Sequence, residues 1–148
     1  MTKARSQIIS LNNTPYYHCM ARCVRRAFLC GEDKFTGQNF DHRKQWVIDR
    51  FKFLSSVFAI DVCAYAIMSN HYHLVLYINS EQAQQWTEEE IQTRWKQIFR
   101  QGSVLVDRYL DVNEETIQAE NDKAKEILEE WRERLSSCLL YTSPSPRD

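Results

Sequence analysis

The sequence predicts an α+β fold, an antiparallel sheet with helices packed on one of its faces. Three observations predict it. The run His71 to Ile78 alternates with the two-residue period of a strand. Trp46, Val47, Phe51, Leu54, Val57 and Phe58 recur at the spacing of one helical face. Thr87-Glu88-Glu89-Glu90 is a capping box, which opens a second helix after the strands. At 148 residues, 43% of them hydrophobic, the chain can bury one core, and wholesale disorder is excluded. No apolar run approaches the ~18 residues of a membrane span.

Residues 1–15 read as an N-terminal arm. In it Ile8-Ile9-Ser10-Leu11 is suited to a sheet edge, and Asn12-Asn13-Thr14-Pro15 to a turn. Residues 16–23 form the first strand, which breaks at Val24-Arg25-Arg26. Asp41 is the expected N-cap of the first helix. A second strand follows over residues 60–68, with Val62, Ala64 and Ala66 on one face and Cys63, Tyr65 and Ile67 on the other. Ser69-Asn70 joins it to the third strand as a hairpin. Residues 80–85 read as a polar link. The capped helix carries Ile91, Trp95, Ile98 and Phe99, and Gly102 is its expected stop. Val104 to Leu110 is a further helical turn or two. Asn113 is the expected cap of a long acidic helix reaching Leu135, with Ile117, Ala124, Leu128, Trp131 and Leu135 as its stripe.

The order strand, helix, strand, strand, helix is most of a ferredoxin-like βαββαβ unit, with the last strand unplaced. The expected organisation is an arm (1–15), an incomplete core (16–110), a charged C-terminal helix (111–137) and a tail (138–148). The tail carries two Ser-Pro steps, which forbid helix, and it lacks strand alternation. It resembles translated adapter sequence, and the expectation is a natural chain that continues beyond Ser137.

Five cysteines, an odd number, and the absence of a signal-like start point to free thiols in a reducing, cytoplasmic setting. The spacing of Cys19, Cys23 and Cys30, with Cys63 as a distant fourth, matches no zinc-finger pattern. Charge is divided unevenly. Residues 1–80 hold ten Lys and Arg against five Asp and Glu, and residues 81–148 nine against fifteen. A basic first half suits an anionic partner such as nucleic acid.

The chemistry is concentrated at Asn70-His71-Tyr72-His73-Leu74. On a strand both imidazoles leave the same face, their roots about 7 Å apart, within reach of one divalent ion. His18 stands on the first strand as a further phosphate or metal-shell contact. Arg22, Arg25 and Arg26 form a basic rim suited to phosphates. Tyr17, with Tyr16 and Tyr65, could stack on unpaired bases. A metal hydrolase of another kind would need carboxylates near the histidines, and the nearest is Asp61, at the far end of its strand.

Residues 65–76, Tyr-Ala-Ile-Met-Ser-Asn-His-Tyr-His-Leu-Val-Leu, together with Tyr17-His18-Cys19-Met20-Ala21-Arg22, closely resemble the HUH single-tyrosine transposases, in particular the REP-associated branch. The resemblance covers roughly residues 8–110. It implies a prokaryotic nickase and strand transferase acting on single-stranded, hairpin-flanked DNA, able to form a homodimer, with no nucleotide cofactor. It also implies Mg²⁺ or Mn²⁺ on His71 and His73 plus a third polar ligand, and a tyrosine that forms a 5′-phosphotyrosine link. That tyrosine belongs on a helix after the last core strand. Tyr109, close to Asp107, is the candidate in this chain. It directly follows the second helix, before any final strand, so a packing role is expected for it. Tyr141 lies in the tail, and the true nucleophile is expected beyond residue 137. The alternative reading is a non-catalytic DNA-binding module derived from such an enzyme.

Overall fold

The computed structural model describes residues 10–22 and 29–137. They form an α+β structure with one three-stranded antiparallel sheet and five helices. The chain divides into two compact units. The first comprises residues 1–56 and 60–78, and the second residues 57–59 and 79–148.

The first unit is the sheet with one helix. β1 (Tyr16–Arg22), β2 (Ile60–Ile67) and β3 (His71–Ile78) lie in the order β1-β3-β2, with both pairings antiparallel. Alternation makes β3 the centre. Leu74, Leu76 and Ile78 are buried on one face, while His71, His73, Val75 and Tyr77 take the other. Each buried aliphatic side chain contributes about 1.5–3 kcal/mol. Pro15 precedes β1 and lacks an N–H, but its carbonyl accepts from Ile78 N–H at 2.9 Å. The expected hairpin forms at Ser69-Asn70, where Met68 N–H donates to His71 O at 2.9 Å.

α1 (His42–Val57) packs toward the Leu74 face, where the Phe51 ring meets Tyr65 and Tyr72 edge-on at 6.2 and 5.3 Å. Phe51, Leu54 and Val57 are buried as expected, but Trp46 is 63% exposed and meets the edge of His42 within its helix. Phe58 lies beyond the helix end. The Asp41 carboxylate accepts from Gly31 N–H at 3.0 Å, which ties the helix start to the preceding loop. In that loop Gly31 and Gly37 hold φ of 92° and 70°, a region that only glycine enters without strain.

One expectation on β2 is corrected. Its register shifts between Val62 and Ala64, so Val62 pairs with Leu76 while Ala64 and Ala66 pair with Val75 and His73. Val62 therefore lies on the α1 side and the two alanines on the histidine side. The bulge inserts one residue and flips the alternation. Strict periodicity from the sequence missed it.

The second unit is helical: α2 (Ser80–Gln85), α3 (Glu88–Ile98), α4 (Val104–Leu110) and α5 (Gln118–Leu135), together with Val57–Ala59. Residues 80–85 are a short helix rather than a link, because Asn79 Oδ1 accepts from Gln82 N–H and Ala83 is buried. The capping box of α3 forms as read: Glu90 N–H donates to Thr87 Oγ1, and Thr87 N–H to Glu90 Oε2. α3 stops at Ile98, ahead of Gly102, where Phe99 turns extended and lays its ring 4.3 Å from Trp95. α5 begins at Gln118 rather than at Asn113, whose N–H is taken by Asp111. Its Ala124, Leu128, Trp131 and Leu135 are buried as expected, and Ile117 is exposed. Trp131 stacks on Trp95 at 4.9 Å with planes 6° apart. Arg132 closes the α2–α3 junction by donating to Ala83 O and Trp86 O at 2.5 and 2.9 Å. Among the described residues no helix is long and apolar enough to cross a membrane.

Candidate functional site

The face of the sheet opposite α1 carries Tyr16, His18, Met20 and Arg22 from β1, and His71, His73, Val75 and Tyr77 from β3. Register decides which of them meet. Arg22 pairs with His71, Met20 with His73 and His18 with Val75. His18 and His73 are thus diagonal neighbours, and their rings make contact. Nε2 of His18 is 2.9 Å from Nδ1 of His73, with planes 8° apart. The His71 ring stands 5.1 Å from that of His73, nearly perpendicular at 75°. His18 is exposed, and the other two are partly covered.

The hydrogen bonds decide which nitrogens can act. A carbonyl oxygen only accepts, so His71 Nδ1–H donates to Asn70 Oδ1, at 2.6 Å. Nε2 of His71 then carries the lone pair. For His73 to offer Nε2 in the same way, its Nδ1–H must donate to His18, and His18 must hold its own proton on Nδ1. In that arrangement Asn70 and His18 are outer partners that orient two ligating imidazoles. His18 is then no third donor, because its Nε2 is occupied.

Among the described residues no group of three or more His, Cys, Asp or Glu side chains is gathered as a metal shell. His71 and His73 fit as two imidazole donors to a borderline divalent ion, with other positions left for water or phosphate oxygens. Asp61 pairs with Tyr77, four residues along β3 from His73 and about 14 Å away along the strand.

The other sequence-predicted residues divide. Arg22 shares the histidine face. Arg25 and Arg26 lie outside the described residues, as do Cys23 and Tyr141. Tyr17 lies on the opposite face of β1, and its hydroxyl accepts from Ser10 N–H at 2.8 Å. Its neighbour Tyr16 takes the histidine face instead, 54% exposed and 5.1 Å from the ring of Tyr77. The strand period could have separated Tyr16 from Tyr17, since His18 fixes the phase. Tyr65 turns to the α1 side. Cys19 is partly covered, Cys63 is exposed in the bulge, and buried Cys30 donates its thiol to Met68 O. These three thiols do not converge.

Tyr109 belongs to the second unit. Lys125 Nζ lies 5.8 Å from its ring centroid. Partial burial, and then a hydrogen bond to Glu88, hold its phenol above the ordinary value. Asp107 is held by Lys96 and Gln92.

No family model, curated protein or solved structure matches this chain.

Proposed function

We propose that this chain carries the metal-binding and DNA-binding core of an enzyme that nicks single-stranded DNA and transfers the strand through a 5′-phosphotyrosine. The observation that carries the reading is the open sheet face on which His18, His71 and His73 meet, with Arg22 beside them. The sheet order β1-β3-β2 supports a ferredoxin-like core of the HUH transposase kind.

In this reading His71 and His73 hold a Mg²⁺ or Mn²⁺ ion through their Nε2 atoms. The bound ion supplies Lewis-acid polarisation of the scissile phosphate. Neutral imidazoles leave more of its charge uncancelled than carboxylates would. Asn70 and His18 keep both rings in the ligating tautomer, and Arg22 grips a phosphate oxygen on the same face. The phosphotyrosine keeps the energy of the broken phosphodiester for rejoining to a 3′-hydroxyl.

A second reading, a DNA-binding module without catalysis, is favoured by the placement of Tyr109, which belongs to the helical unit while the histidines belong to the sheet unit. One experiment separates the two. The chain is incubated with hairpin-flanked single-stranded DNA and Mn²⁺, and covalent protein–DNA adducts are sought on a denaturing gel beside a binding assay. An adduct lost in His71→Ala/His73→Ala supports the enzyme, and its further loss in Tyr109→Phe would make Tyr109 the nucleophile. The same gel is run on a chain extended past residue 137, where the nucleophile is expected, and binding without adduct in both chains supports the module. Absence of binding would overturn both.

A further inference from the structure

On the α1 side of the sheet, away from the histidines, the first unit holds a second concave site. We propose that it takes one unpaired base of the bound DNA strand, an inference that rests on the single-stranded DNA reading above. The cavity measures about 300 Å³. That is at the lower end of the ~300–1,000 Å³ usual for small-molecule pockets, and it suits a single flat ring system. Buried Phe51 and half-buried Val47 and Tyr72 line it with almost wholly apolar surface. Trp46, 63% exposed, stands at its side with Arg43 and Arg50.

The chemistry of the occupant follows from this combination. An apolar aromatic wall accepts the face of a ring. The guanidiniums of Arg43 and Arg50, 4.2 and 5.2 Å from the Phe40 and Phe53 ring centroids, make its edge positive, which favours a ring that carries an anion. α1 adds Lys44 and Lys52, and Asp49 is the sole carboxylate of the helix, already accepting from the Gln45 amide. A nucleobase with its flanking phosphates has this form, and stacking on aromatic side chains is how single strands are held without sequence readout. Tyr72 joins the two sites. It lines the cavity, while its chain neighbours His71 and His73 face the other way. A strand passing the hairpin end of β3 can therefore touch both faces.

Trp46 also makes the test specific. The other three tryptophans, Trp86, Trp95 and Trp131, are 6–7% exposed, so a quencher arriving from solvent reports on Trp46. The full chain is titrated with fluorescein-labelled oligothymidylate to read binding by anisotropy, and with unlabelled oligomer to read tryptophan emission. Binding should quench the emission. An abasic oligomer of equal length and charge should bind with little quench. Trp46→Ala should weaken binding about tenfold, and Trp46→Phe should keep most of the affinity without the quench. Arg43→Ala/Arg50→Ala should lower the salt slope by ~0.7 for each phosphate these arginines neutralise. Binding with unchanged emission, equal quenching by the abasic oligomer, or full affinity in Trp46→Ala would overturn the pocket and leave the DNA reading standing. No anisotropy change in the wild type would overturn the DNA reading itself.

Discussion

Replacing His18 by Ala tests the arrangement of the three imidazoles directly. Among the described residues its side chain makes one hydrogen bond, 2.9 Å to His73 Nδ1. Because His18 is exposed, water can reach the freed nitrogen, and no buried polar group is stranded. Folding stability should therefore move by no more than about 0.5 kcal/mol in urea unfolding. What is lost is the orientation of the His73 ring and the choice of its tautomer. Outer partners of ligating histidines are worth ~10–100-fold in metal affinity. The open position of this pair puts the loss at the lower end, about tenfold or ~1.4 kcal/mol. Calorimetry with Mn²⁺ on wild type, His18→Ala, His18→Gln and His73→Ala measures it. The glutamine offers a carbonyl acceptor to His73 Nδ1–H and should recover most of the affinity. Wild-type affinity in His18→Ala alongside lost binding in His73→Ala would refute the positioning role. Loss in His18→Ala as complete as in His73→Ala would make His18 a ligand itself, and the tautomer argument would fall.

Arg22→Ala should weaken single-stranded DNA binding and reduce the slope of log affinity against log salt by ~0.7; an unchanged slope would place the phosphate contacts elsewhere. Thr87→Ala removes the cap of α3 and should cost about 1 kcal/mol in denaturant unfolding, whereas no change would mean that water caps the helix as well. Arg132→Ala leaves Ala83 O and Trp86 O without their charged donor and should cost about 1.5–3 kcal/mol, with Arg132→Lys recovering part of it. The Asp33 carboxyl is held below the ordinary value by the Thr36 hydroxyl and then by Phe35 N–H. The loop's stabilisation from this group is present above the unfolded carboxylate value and fades as pH falls through the folded one. In an NMR titration Thr36→Val should raise the Asp33 midpoint, and an unmoved midpoint would refute that attribution.

Where local chemistry decided the outcome, the sequence could be read to within a residue or two. β3 follows from alternation alone, and the α3 start from a box whose two hydrogen bonds both form. Readings failed where a second side chain competed with the expected signal. Asn113 was bound by Asp111 and lost as a cap, and Phe99 packed on Trp95 and ended α3 before its glycine. The phase of β2 broke at Cys63, because a bulge is set by its partner strand and leaves no mark in its own composition. The candidate site shows the same division. The same-face placement of His71 and His73 is a property of any strand, so the sequence contained it. The contact of His18 with His73 depends on which residues of β1 and β3 pair, and register is a tertiary fact.

The segment Val57–Ala59 has a consequence for how the chain is made. Ala59 gives its N–H to Leu135 O and its carbonyl to Asn79 N–H, both at 2.9–3.0 Å. During synthesis the sheet segments through Ile78 emerge first, while Ala59 waits for the last residue of α5. At ~5–20 residues per second that wait lasts seconds, far longer than a hairpin takes to form. Val57, Phe58 and Ala59, each no more than 2% exposed in the finished molecule, meanwhile lack their final partners. For those seconds the nascent chain presents a sticky apolar stretch in the middle of otherwise complete sheet segments.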